Sequence, residues 1–203
     1  MDRRHFIGTT GAALAAASLP GAASAARLQT IRVDRQPRLP LVQPDWPVPE
    51  DPNQMFFLQR STNENTIVFA ARYDAAGTLT YPDAVSIYWR RYADDGERKP
   101  LKPIERLLAF GVNISRRATA GQFNVALKPL PQLSMVLLQT GPFKAQVLGR
   151  IGGETARVVY AYAEVDESGL LPRVTQLSVH GLLPAGAGAI SEYYAVSGGE
   201  LQQ

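Results

Sequence analysis

Val85-Ser86-Ile87-Tyr88-Trp89-Arg90-Arg91-Tyr92 decides the fold class of this chain. In an extended backbone Val85, Ile87 and Trp89 point one way, and Ser86, Tyr88, Arg90 and Tyr92 point the other. β-branched and aromatic residues at period two mark a half-buried strand. Its apolar face needs similar partners, and they lie on both sides of it.

Upstream, Met55 to Ser61 is mostly apolar, the pattern of a strand buried on both faces. Thr62-Asn63-Glu64-Asn65 reads as a turn. Ile67, Phe69, Ala71 and Tyr73 then share a period of two, with Arg72 and Asp74 on the alternate positions, and Asp74-Ala75-Ala76-Gly77 turns the chain. Downstream, Pro103 suits a first helical position. Ile104, Leu107 and Leu108 share one face, and Gly111 suits the residue past the end, so a two-turn helix is expected near 103–110.

The remainder reads as strands: 113–118, 123–128, 135–138, 143–147, 155–165, 175–180 and 191–196. Gly152-Gly153 forms a hairpin turn. Many short strands without strand–helix alternation predict an all-β fold, an antiparallel sandwich or barrel with one short helix.

The 203 residues suit one domain, and 45% hydrophobic against 19% charged residues supports a packed core. A net charge of +3 without a Lys/Arg cluster gives no nucleic-acid footprint. The absence of cysteine excludes disulfides, thiolate metal sites, a cysteine nucleophile and a lipidated cysteine. His5 and His180 leave little for a zinc or iron site, and no Asp-x-Asp-x-Asp-Gly calcium loop is present. No metal or cofactor is expected.

Residues 1–25 resemble a twin-arginine signal peptide. Arg3-Arg4, then Phe6-Ile7, precede an Ala-rich stretch; Pro20-Gly21 breaks it, and Ala23-Ser24-Ala25 forms a small-x-small cleavage site. Gly8 stands where such signals often carry lysine. A membrane anchor is the other reading, but the apolar run is short against the ~20 residues a span needs. The resemblance implies the twin-arginine translocase as export partner, a periplasmic or secreted location and no mature membrane span. Export of an already folded protein suits a chain with no cysteines to oxidise.

Residues 26–53 combine Arg27, Arg32, Arg35 and Arg38 with Pro37, Pro40, Pro44, Pro47, Pro49 and Pro52. This predicts an extended, polyproline-like leader, either a tether or a strap on the domain; a partner-binding arm is the alternative. Leu39, Leu41, Val42 and Trp46 suggest that part of it docks. The β domain is expected over 54–200.

Phe56-Phe57-Leu58-Gln59-Arg60-Ser61, Asn63 and Asn65-Thr66 resemble the opening of the bacterial domain-of-unknown-function family numbered 4833. Trp89, Arg106 and Ala109-Phe110-Gly111-Val112 continue the resemblance, and Gly181 and Ser191-Glu192 close it, over roughly 54–196. It implies an exported or surface-associated β-rich domain and carries over no catalytic residue.

No G-x-S-x-G elbow and no phosphate loop before a helix are present. A Ser–His pair would have to use His180, expected on a solvent face with Ser178 and Gln176, where a lone histidine lacks an orienting partner. Glu105, Glu164 and Glu192 are the carboxylates a hydrolase of envelope polymers would need to pair. The binding candidates are Tyr88, Arg90 and Tyr92, with Arg60 on a nearby strand: rings beside guanidinium groups suit sugars, carboxylates or phosphates. Ordinary cross-strand pairing on a solvated sheet is the plainer reading. Trp89 is expected in the core. A non-catalytic domain binding a small molecule, glycan or envelope protein leads; a hydrolase or a structural envelope component are the alternatives.

Overall fold

The computed structural model describes residues 26–169 and 172–197. The chain runs β1 (Arg27–Gln36), β2 (Gln54–Arg60), β3 (Asn63–Ala71), β4 (Val85–Arg90), β5 (Arg98–Pro100) and α1 (Pro103–Leu108). It continues through β6 (Val112–Arg116), β7 (Gln122–Leu127), β8 (Leu130–Gly141), β9 (Lys144–Ile151), β10 (Glu154–Asp166), β11 (Arg173–Leu182) and β12 (Ala189–Ser197). All twelve strands join one curled, open sheet shaped as a half-barrel. The all-β expectation with a single short helix holds.

The sheet is mixed, because β2 lies parallel to β10; every other pairing is antiparallel. β10 is the strand on which the sheet forks. Glu154–Arg157 pair with β9, Tyr160–Ala163 pair with β2, and β11 follows the opposite edge from Arg157 to Asp166. A bulge between Val158 and Tyr160 reverses the side-chain alternation there. Ala156 and Val158 face the core before it, Ala161 and Ala163 after it.

The main core lies between the two arms of the fork. Phe56, Leu58, Ile67, Phe69, Ile87 and Trp89 from β2–β4 pack with Phe123, Val125, Leu137 and Val147 from β7–β9. Phe56 and Phe69 stack at 4.3 Å between ring centroids. At the end of α1, a Cβ on Gly111 would sit 1.9 Å from the Arg106 carbonyl oxygen, which is why only glycine fits there.

The segment read as a leader differs from expectation in its first part. Arg27–Gln36 forms β1, an edge strand antiparallel to the C-terminal β12, because no proline interrupts its ladder before Pro37. Residues 37–53 then cross the second face of β2, β10 and β4 as a strap that bends and turns rather than running extended, with Trp46 N–H donating to the Gln43 carbonyl at 3.2 Å. Leu39, Val42 and Trp46 pack on Phe57, Tyr160 and Tyr162. Tyr160 donates its hydroxyl to the Pro40 carbonyl, Gln43 donates to the Tyr162 oxygen at 2.9 Å, and Gln59 to the Pro47 carbonyl at 3.3 Å. Strands β2 and β3 are therefore apolar on both faces because both faces are covered.

Asn63 and Asn65, expected in a turn, begin β3; the turn shrinks to Ser61-Thr62. Asn65 is buried and its Oδ1 accepts the Ala93 N–H, tying β3 to the loop after β4. No helix among the described residues is long and apolar enough to cross a membrane. The signal motif Arg3, Arg4, Phe6 and the cleavage residues Ala23 and Ala25 lie outside the described residues.

Candidate functional site

Phe56, Leu58 and Arg60 share one face of β2, so period two carries Arg60 to the core side, beside Trp89. Its guanidinium carbon stands 4.8 Å from the centroid of the Trp89 ring; that of Arg91 stands at 5.8 Å. Phe110 meets the indole edge-on at 5.4 Å. Trp89 Nε1 donates to Glu105 Oε2 at 3.2 Å, and the same oxygen accepts the Lys102 N–H at 2.8 Å. The indole is thus fixed in orientation and presents a face to two cations.

Arg91 is paired with Asp94 at 2.9 Å. Arg60 has no hydrogen bond or ion pair to any described residue, and its Nε is buried without a partner. Burial pushes the Arg60 guanidinium below its ordinary range; the carboxylates of Glu167 and Glu105 oppose that push and Arg91 adds to it. Guanidinium still stays protonated at neutral pH, so a desolvated, unpaired cation sits on an aromatic platform. Thr62 Oγ1, in the adjoining turn, is also buried and unpartnered.

The expected constellation divides between two faces. Tyr88 and Arg90 point away from Arg60, toward the strap. Tyr88 is only 2% exposed, packed with Val68 and Ala70, so the expectation of an open aromatic face is corrected: the strap covers it. Its hydroxyl donates to Asp51 Oδ2 at 2.6 Å, and Arg98 stacks on the ring at 3.7 Å. Arg90 donates to the Gly96 carbonyl at 3.2 Å and is directed into the β4–β5 turn. Tyr92 lies half-buried beside Gly96, its hydroxyl pushed up by burial. Trp89, assigned to the core alone, is core and platform together.

His180, expected on a solvent face, is fully buried. Nδ1 lies 2.8 Å from Ser191 Oγ and Nε2 2.8 Å from Ser178 Oγ, while Tyr160 stacks on the ring at 4.2 Å. Burial pushes it down to about 4, so the ring is neutral at pH 7. Two serines saturate it, no carboxylate orients it, and Tyr160 covers it: the cluster pins β10, β11 and β12 together. Glu192 is also structural, accepting Thr30 Oγ1 at 2.7 Å and the Gly152 N–H at 2.5 Å. Glu105 serves Trp89, and Glu164 lies near the end of β10, so the three carboxylates sit on separate elements.

The barrel interior is filled; a void of about 30 Å³ remains between Phe56, Met135, Val158 and Leu177. The larger recess, about 480 Å³, lies where the sheet forks. Its polar residues, Gln146, Thr155 and Arg157, lie at strand positions that look solvated in sequence, and the rest of the lining comes mainly from the strap and the loop after β11, so reading alternation alone misses it.

The model of the family described as Domain of unknown function (DUF4833) matches residues 56–192, from β2 into β12 and without β1 or the strap. Comparison with curated proteins and with solved structures finds no match.

Proposed function

The chain belongs to the DUF4833 family, whose description assigns no activity, and on that premise we propose that it is an exported, non-catalytic binding domain for a ligand bearing a carboxylate or phosphate group. The observation that supports this is the unpaired Arg60 guanidinium on the Trp89 indole. A partly buried guanidinium stacked on a ring, with its terminal nitrogens free of partners among the described residues, can engage an anion bidentately. Among the described residues no nucleophile–base pair accompanies it, since His180 is saturated and covered. Small anionic metabolites, acidic glycans or an acidic segment of an envelope protein all offer the required group.

Thermal shift against phosphate, sulfate and glucuronate tests the reading. One of the three raises the melting temperature saturably in the wild type and has no effect on Arg60→Gln. Equal shifts in both proteins, or none in the wild type, defeat it. Export through the twin-arginine translocase is tested apart: Arg3→Lys with Arg4→Lys retains the precursor in the cytoplasm, and undiminished periplasmic yield overturns that assignment.

A further inference from the structure

The recess at the fork of the sheet has the chemistry of a second site, independent of Arg60. It is lined by Pro37 from the start of the strap, Gln146 on β9, Thr155 and Arg157 on β10, Leu182 at the end of β11, and Leu183, Pro184, Gly186 and Gly188 after it. Thr155 and Arg157 sit at period two on one face of β10, where β9 still borders it; Leu182 is the cross-strand partner of Arg157 on β11. Beyond this point β2 takes over the edge that β9 leaves, and the recess lies at that divergence.

Three features define what fits. Its volume, about 480 Å³, lies within the range of small-ligand sites. The walls are largely aliphatic, with two leucines and two prolines and no aromatic ring on which a sugar or aromatic acid could stack. Arg157 is solvent-exposed and has no carboxylate or hydrogen-bond partner among the described residues, and no Asp or Glu lines the recess, so the charge complement of the site is an anion. The Gln146 amide and the Thr155 hydroxyl offer further donors to the same head group.

The rim is pre-shaped. Ala185, Gly186 and Gly188 all have positive φ, at 55°, 73° and 93°. A Cβ on Gly188 would meet the Gln36 carbonyl oxygen at 2.5 Å, so the loop packs directly on the end of β1. We propose that this recess binds an aliphatic carboxylate amphiphile, with the carboxylate on Arg157 and the chain along Leu182, Leu183 and the prolines.

Calorimetric titration of the purified protein with decanoate, below its micelle concentration, tests the proposal, with backbone amide shifts recorded in parallel. Saturable binding is expected, with the largest shifts at Gly186 and Gly188. Arg157→Gln weakens binding at least about tenfold, a loss of roughly 1.4 kcal/mol. Arg157→Lys retains part of it, and decanol binds more weakly than decanoate. Absence of saturable binding overturns the proposal. So does equal binding by Arg157→Gln, equal affinity for decanol, or shifts confined to another part of the domain. Hydrocinnamate serves as the competing chemistry; if it binds more tightly than decanoate, the aliphatic assignment fails.

Discussion

Tyr88 donates its hydroxyl to Asp51 at 2.6 Å, and that bond fastens the end of the strap to the centre of the sheet. Arg98 completes the arrangement, stacked on the Tyr88 ring and 3.7 Å from the Asp51 carboxylate. The face of β4 that looks polar in sequence is thereby a second, smaller core. Tyr88→Phe keeps the packing and removes a hydrogen bond to a charged group, at a cost of about 1.5–3 kcal/mol. Tyr88→Ala also loses the buried ring and costs roughly 3–5 kcal/mol, comparable with Trp89→Ala. Urea unfolding followed by Trp fluorescence checks this; a silent Tyr88→Phe would mean the strap is held by other contacts.

His180 makes stability depend on acid. Burial lowers its folded-state value from 6.5 to about 4. Between these limits the unfolded chain binds more protons than the folded one, so stability falls as pH falls. The contribution is complete above pH 6.5 and is lost progressively from there down to about 4, for a total of about 3 kcal/mol. Urea midpoints of wild type and His180→Gln, compared at pH 7.5 and 4.5, isolate the effect. The variant is less stable at pH 7.5, and the gap narrows or reverses at pH 4.5. A constant gap would show that the imidazole does not titrate in this window.

Strand alternation was legible wherever one face of the sheet meets the core and the other meets water or a polar cover, as in β7 with Phe123, Val125 and Leu127. Two kinds of information were not. The parallel pairing of β2 with β10, and the fork it creates, joins residues about a hundred apart; alternation within a strand carries no record of its neighbour. The strap was legible as a proline-rich segment, but neither its turns nor the face it covers, so Tyr88 and His180 read as exposed polar-face residues. The candidate site was half legible: Arg60 stands out, but its partner is Trp89 on the core face rather than Tyr88 and Arg90. Phe56, Leu58 and Arg60 at period two carried that signal.

Gly152 couples the β9–β10 hairpin to β1. It sits at φ 57°, its N–H is accepted by Glu192, and a Cβ there would lie 2.4 Å from Val33 Cγ1. Gly152→Ala therefore meets both backbone strain and a clash with β1, at about 1–3 kcal/mol. Hydrogen exchange should quicken along Arg27–Gln36 and its partner β12, while β3 keeps its protection. Uniform loss of protection would show that β1 does not open separately from the rest of the sheet.

Arg60 offers the sharpest separation of function from stability. A guanidinium that is desolvated and lacks an ionic partner costs the folded state, since water solvates it better in the unfolded chain. Methionine fills similar space and keeps a favourable contact with the Trp89 ring. Arg60→Met should therefore unfold at an equal or higher urea concentration, gaining up to about 1 kcal/mol, while losing the anion-dependent thermal shift. A residue retained for structure gives the opposite pair of results: Arg60→Met destabilised by a kilocalorie or more, with any anion response unchanged. The unfolding midpoint and the anion titration, measured on the same variant, decide between them.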